Sequence, residues 1–248
     1  MSVAILTYHS LDDTGSVISV SPHIFAAQMQ SLATAGIRVV ALDEVPQTLQ
    51  SGEPAVAITF DDGFVNFRDH AAPVLARYGF AATVFLVTAH CGIDNSWPTQ
   101  PAAVARQPLL DWKAIKTLYA AGVRFGAHSH SHPWLTQLPP ADAESEMLQS
   151  KQAIGKILNA PIDTFAYPYG ACDEQTRALA RRHFRMACGV RLGYARRQSD
   201  LWELERLDMY YWRNQPDLSD LFTARTRAYV GIRASLRAMR HLLTPQLR

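Results

Sequence analysis

Short apolar runs without polar alternation recur along the chain, separated by stretches of helical periodicity. Val3–Tyr8, Ile37–Leu42, Val56–Phe60, Ala82–Val87, Val123–Ala127, Asp163–Ala166, Met186–Val190 and Glu205–Met209 read as strands covered on both faces, the pattern of a parallel sheet. The helices between them are punctuated. Ser21-Pro22 offers an N-cap and a first-turn proline, Gly36 a left-handed stop, and Phe25, Met29 and Leu32 one apolar face. Asp111 is placed to cap Trp112–Ala121, closed by Gly122, with Ile115 and Leu118 turned inward. Pro139-Pro140 opens a longer helix carrying Met147, Ile154, Ile157 and Leu158. Strands alternating with helices predict an α/β protein with a parallel sheet, open or closed, and about eight strands favour a barrel. Residues 90–108, rich in proline and holding His90 and Trp97, read as a loop insertion beside the strand ends.

Composition narrows the class without selecting a function. A chain of 248 residues, 48% hydrophobic and 19% charged, suits a single domain over 1–248 that folds without disulfides. Its barrel would span about 3–210, followed by a basic helix at about 217–243. A net charge of +2 is too small to argue for a nucleic-acid partner. Cys91, Cys172 and Cys188 form no CxxC pair and read as reduced thiols. No apolar run approaches the ~20 residues of a membrane span. Met1 and Ser2 lead straight into the first strand with no basic leader, so a cytoplasmic protein is expected.

Functional groups of a parallel barrel gather where strands run out into the loops that follow. Three polar clusters lie at such points. Thr59-Phe60-Asp61-Asp62-Gly63 ends the third run; alone it reads first as a strand-end turn with Asp62 capping the next helix. His128-Ser129-His130-Ser131-His132 ends the fifth, and histidines at i and i+4 share a face if the segment turns helically. Ser129 stands where a zinc protease would carry its glutamate base. Phe165-Ala-Tyr-Pro-Tyr-Gly170 ends the sixth, a rigid turn able to present a backbone N–H to an oxyanion or simply to bury aromatics. Together the first two supply one carboxylate and two imidazoles, a ligand set that leaves metal positions open.

With these motifs in this order the sequence resembles the polysaccharide deacetylases, the NodB-homology carbohydrate esterases. Their TFDDG motif stands as Thr59–Gly63, their histidine motif as His128–His132 and their P-Y-G turn as Pro168–Gly170; the lead-ins Leu110–Ile115 and Ala121–His128 also match, and the likeness runs from Val3 to about Met209. The resemblance implies a distorted (β/α) barrel and a divalent metal, usually Zn2+. It assigns Asp62, His128 and His132 as metal ligands, Asp61 as general base and the Tyr169 backbone N–H as an oxyanion donor. Two features depart from the family. The arginine that commonly orients the base is replaced by Ala166, with Arg206 as its candidate substitute. The C-terminal Leu-x-x-His acid motif is absent, and His241 follows a basic helix rather than a strand. Tyr8-His9 ends the first strand instead, resembling the circularly permuted branch whose acid histidine lies near the N-terminus, so His9 is the candidate general acid.

The implied reaction is metal-dependent removal of an N-acetyl group from an amino sugar in a polysaccharide, oligosaccharide or lipid-linked glycan. Removal of a formyl group from a lipid- or nucleotide-linked amino sugar is the alternative within the enzyme class. A catalytically silent carbohydrate-binding homologue is the alternative outside it. From Leu221 onward there are six arginines (Arg225, Arg227, Arg233, Arg237, Arg240, Arg248) and no acidic residue, with Val230, Leu236, Met239 and Leu243 on an apolar side. This helix is read either as a last cover for the barrel or as a peripheral contact with the inner membrane face.

Overall fold

The structure, a computed structural model, describes residues 2–243, with side chains described as far as Met239. Its strands are β1 (Ser2–Tyr8), β2 (Ser10–Leu11), β3 (Ser19–Val20), β4 (Val39–Val40), β5 (Ala55–Phe60), β6 (Ala82–Leu86), β7 (Arg124–Ala127), β8 (Thr164–Ala166), β9 (Met186–Leu192), β10 (Ala195–Arg196) and β11 (Leu204–Asp208). The helices are α1 (Pro22–Thr34), α2 (Val45–Ser51), α3 (Ala72–Tyr78), α4 (Trp112–Ala120), α5 (Pro140–Leu158), α6 (Glu174–His183) and α7 (Ala224–Leu243).

Seven parallel strands form a closed barrel in the order β1-β5-β6-β7-β8-β9-β11, sealed where β1 pairs with β5 on one side and β11 on the other. The expected count of eight is therefore one too many. Of Ile37–Leu42 only Val39 and Val40 form a strand, pairing with Val56 and Ala57 at the start of β5. The rest of that edge, from Ile58, is already taken by β6, and the chain turns into a 3-10 helix at Leu42. The short β10 does the same beside β1, pairing antiparallel with Ser2 and Val3 below the β11 contact at Leu6 and Thr7.

The strands lack polar alternation because each is covered twice. Val3 and Ile5 of β1, Ala55 and Ala57 of β5, Phe85, Ala166, Cys188 and Leu204 share one apolar cluster, which fills the barrel. Their neighbours Ala4, Leu6, Tyr8, Val56, Ile58 and Phe60 belong to a second cluster, packed outward against the helices. There Phe25, Met29 and Leu32 of α1 are fully buried, as their spacing predicts. Tyr8, Phe25, Phe60 and Phe67 interlock with ring centroids 4.8–5.6 Å apart.

Helix ends differ in two respects from the sequence reading. Asp111 does cap α4, accepting from the Ala114 N–H at 2.7 Å. Ser21, however, makes no side-chain cap bond to α1, whose first turn rests on Pro22. The final helix starts at Ala224 rather than near 217, and its apolar side divides. Val230 is buried, whereas Ile232, Leu236 and Met239 are half or more exposed. The side chains of Arg240 and Leu243, and Arg248 as a whole, lie outside the described residues.

Candidate active site

The barrel interior becomes polar at the ends of its strands. On β1 the inward series Val3, Ile5 continues to Thr7 and His9, and on β5 Ala55, Ala57 continues to Thr59 and Asp61. The Asp61 N–H donates to the Tyr8 carbonyl at 2.9 Å, extending the β1–β5 ladder one residue past the strand. The chain then reverses sharply, Asp62 at φ 70° and Gly63 at φ 81°. Gly63 has a second reason to lack a side chain, since a Cβ there would lie 2.7 Å from Leu86 Cδ2. The turn aims Asp62 across the barrel mouth; it does not cap a helix.

Nor do His128 and His132 meet through a helical turn. Ser129 (φ 64°) and His132 (φ 62°) are left-handed, and the His132 N–H donates to Ser129 Oγ at 3.0 Å. Glu146 of α5 clamps the loop from outside. Its carboxylate accepts from the N–H groups of His130 (2.9 Å) and Ser131 (2.7 Å) and from the Ser131 hydroxyl (2.7 Å). Such non-glycine backbone costs about 1–3 kcal/mol per residue, and here it brings two imidazoles edge to face with centroids 4.9 Å apart.

Those imidazoles and Asp62 leave three lone pairs facing one another. His128 Nε2 and His132 Nε2 are 3.3 Å apart, and each is 3.5 Å from Asp62 Oδ1. His128 Nδ1 donates to the Ala166 carbonyl at 2.8 Å, which turns its Nε2 toward Asp62 and His132. Burial, reinforced by His128, holds His132 neutral well below the ordinary histidine range. Burial and neighbouring Asp61 push the Asp62 carboxyl upward against the pull of His9 and His128. Three converging acceptors, nearly solvent-free, with a carboxylate unbalanced by any hydrogen-bonded cation, form a donor set that a divalent ion fits.

Asp61 is treated oppositely by its surroundings. Burial would raise its pKa, but Arg206 overrides burial, helped by His128 and His9, and holds the carboxyl well below the ordinary range. Arg206 grips it bidentately, Nη1 to Oδ1 at 2.8 Å and Nη2 to Oδ2 at 2.7 Å, while its Nε donates to the Gly189 carbonyl. Ala166, in the position where the family carries arginine, packs inside the barrel, and the guanidinium arrives from β11 instead. His9 Nε2 lies 3.8 Å from Asp61 Oδ2 and is partly exposed.

A cleft of about 400 Å³ opens over these groups, and His9, Asp61, Asp62, His128, His132 and Tyr169 all line it; Arg206 sits behind Asp61. Trp97, from the 90–108 insertion, packs on the His132 ring at 4.3 Å, and Tyr169 meets the same ring edge-on at 4.5 Å. Trp134 stacks on Tyr169 at 4.1 Å. Thr99 links this wall to the histidine loop, accepting from the Tyr169 hydroxyl and donating to the His132 carbonyl. The Pro168–Gly170 turn is tight, with Tyr169 left-handed (φ 57°). Sequence reasoning missed Glu146, Trp134 and Arg237, which reaches the cleft from α7. A charged residue on an amphipathic helix carries no mark of which loop or cleft it faces; Trp97 alone was visible, as an aromatic in a polar insertion.

Residues 48–186 match the polysaccharide deacetylase family model. The Bacillus subtilis (strain 168) protein YxkH is 27% identical over 208 residues, covering 82% of this chain and 70% of that one. The poly-beta-1,6-N-acetyl-D-glucosamine N-deacetylase of Staphylococcus aureus (strain MSSA476) is 23% identical over 189 residues, 71% of this chain but 61% of the staphylococcal enzyme. Among solved structures, the Streptococcus pyogenes deacetylase PplD in complex with acetate superposes with a TM-score of 0.73 at 26% identity, over 84% of this chain and 92% of that one.

Proposed function

The chain belongs to the polysaccharide deacetylase family of hydrolases, and from that premise we propose that it removes N-acetyl groups from an amino sugar within a glycan. The observation that carries this reading is the juxtaposition, on one rim, of the Asp62–His128–His132 cluster and an arginine-clamped carboxylate. Asp62, His128 and His132 would hold a divalent metal, and two nitrogens with one carboxylate oxygen suit Zn2+. Bound there, the ion supplies Lewis acidity, polarising the amide carbonyl and helping to ionise the attacking water.

The remaining work falls to the chain's own groups. Asp61, kept ionised by Arg206, takes the proton from the water as its oxygen attacks the carbonyl carbon. The Tyr169 backbone N–H donates to the tetrahedral oxyanion, a contact that can contribute ~3 kcal/mol. His9 donates a proton to the sugar nitrogen as the C–N bond breaks, so that an amine rather than an amide anion leaves. Acetate and a free amino sugar result. Trp97 backs the His132 ring and Trp134 backs Tyr169, stiffening the wall against which the pyranose ring would lie.

Metal content measured beside acetate and formate release from N-acetylglucosamine oligomers, with and without chelator, tests the proposal. About one metal per chain with chelator-sensitive acetate release is expected. Formate release from formylated analogues alone would shift the reading to a deformylase; metal-free protein that takes up no added zinc would sink the ligand assignment. The outer stripe of α7, Ile232, Leu236 and Met239 beside Arg225 and Arg233, favours a peripheral contact with an anionic lipid surface. Vesicle flotation at low salt tests it, and failure to float with anionic vesicles excludes it.

A further inference from the structure

The cleft does not end at the metal cluster. A second cavity of about 730 Å³ adjoins it, and the two share Tyr169, Gly170, Val190 and Arg237 in their walls. The junction is thus roofed by α7 and floored by the Pro168–Gly170 turn, with Trp134 on the far side. A ligand longer than one sugar, seated with its acetamide at Asp62, would run past Arg237 into this second lobe.

Arg237 is unusual among the arginines. Among the described residues, five arginine side chains are wholly or partly covered, and four of those have partners. Arg177 pairs with Glu203, Arg206 with Asp61, Arg213 lies over Tyr210, and Arg227 donates to the Phe222 carbonyl. Among the described residues, Arg237 makes neither hydrogen bond nor ion pair. The carboxylates that line the second lobe are already committed. Glu203 is held by Arg177 at 2.7 Å, and Asp173 caps α6 through the Thr176 N–H at 2.8 Å. A guanidinium removed in part from water, at the junction of two cavities and with no carboxylate within ion-pair distance among the described residues, is matched by an anionic group on whatever passes it.

Resting on the deacetylase reading for the seating of the acetamide, we infer that Arg237 forms an anion-recognising subsite for a phosphate or carboxylate group on the glycan, next to the sugar that is deacetylated. The site selects anionic glycans over neutral ones. A charge-assisted, two-pronged contact of this kind corresponds to about a ten-fold gain in affinity.

The test is equilibrium binding to the metal-loaded full chain of three matched N-acetylglucosamine oligomers: unsubstituted, phosphate-bearing on the neighbouring sugar, and with glucuronate as that sugar. Wild type is expected to bind at least one anionic oligomer about ten-fold tighter than the neutral one. Arg237→Gln should erase the difference and Arg237→Lys restore part of it, with melting temperatures unchanged because the side chain has no partner to lose. Tighter binding of the phosphate form assigns a phosphorylated glycan, and the reverse assigns a uronate. A metal ion attracts anions equally in all three proteins, so only the Arg237-dependent part counts. Equal affinities in wild type, or a preference that survives Arg237→Gln, would overturn the inference. Acetate release from the same oligomers is read separately. Arg237-dependent binding without turnover would support the subsite and fail the deacetylase reading; turnover without anion preference would do the reverse.

Discussion

On one side of the cleft, Asp62, His128 and His132 come from the residues just beyond two barrel strands, and they are held by the Ala166 carbonyl, the Ser129 hydroxyl and one another. On the other side, Trp97, Tyr210 and Arg237 come from a long insertion, a 3-10 turn and the last helix; of the three, Trp97 packs on the His132 ring. The first wall is stiff because strand ends leave little freedom; four of the five left-handed non-glycine residues in the described chain, Asp62, Ser129, His132 and Tyr169, lie along this rim. The second wall is assembled from elements whose length and composition can change without disturbing the barrel. Chemistry is thereby separated from selectivity: changes in the first wall should appear in kcat and metal retention, changes in the second in KM.

Five substitutions probe that division. Asp61→Asn keeps the shape and removes the base, and is expected to lower kcat by about 10³-fold with metal content unchanged; metal loss would mean that Asp61 belongs with the ligands. His9→Ala should cost about 10²-fold on amide substrates and far less on an aryl acetate ester, whose leaving group requires no proton. Equal losses on both would remove His9 from proton donation.

Arg206→Gln acts through Asp61. With arginine present the carboxylate stays ionised below the ordinary range, so its protonation does not limit activity near neutral pH. Without it burial prevails, the pKa rises, and the acid limb of the rate profile should move upward. Stability follows the same sign. A depressed Asp pKa contributes stability above the unfolded value of ~3.9 that is lost as pH falls toward the folded one. The variant should therefore melt lower at neutral pH, by roughly 3–5 kcal/mol for a broken buried pair, with the deficit narrowing in acid. A parallel shift at every pH would separate Arg206 from Asp61.

Glu146→Ala touches no ligand, yet it frees the loop between His128 and His132. Metal affinity should fall about ten-fold, the low end for a group that orients ligands; an unchanged affinity would show that the left-handed backbone holds alone. Trp97→Ala should raise KM a few-fold and leave kcat within about two-fold. A kcat loss as large as that of His9→Ala would erase the distinction between the walls.

The same division explains what could be read in one dimension. Asp61, Asp62, His128 and His132 were legible because each motif is contiguous and follows an apolar run, so a local pattern encodes both the strand and what stands at its end. Arg206 was legible only as a candidate substitute on the last predicted strand, since nothing local says that β11 lies beside β1. The barrel was overcounted because Ile37–Leu42 is as apolar as a full strand, and its lack of room beside β5 is a property of the assembled sheet. Glu146 and Arg237 were invisible for a related reason: on a helix, a charge aimed at a loop and a charge aimed at water follow the same period.

The seam between β1 and β11 also sets an order in time. Of the barrel strands β1 is synthesised first, and its outer edge waits for β11, the last of them. Asp61 meets Arg206 across 145 residues of sequence, on the order of ten seconds of synthesis at ~5–20 residues per second. Until then the carboxylate has no guanidinium and the barrel no closing strand. A nascent or truncated chain is thus inert by construction, and hydrolytic competence arrives together with completion of the fold.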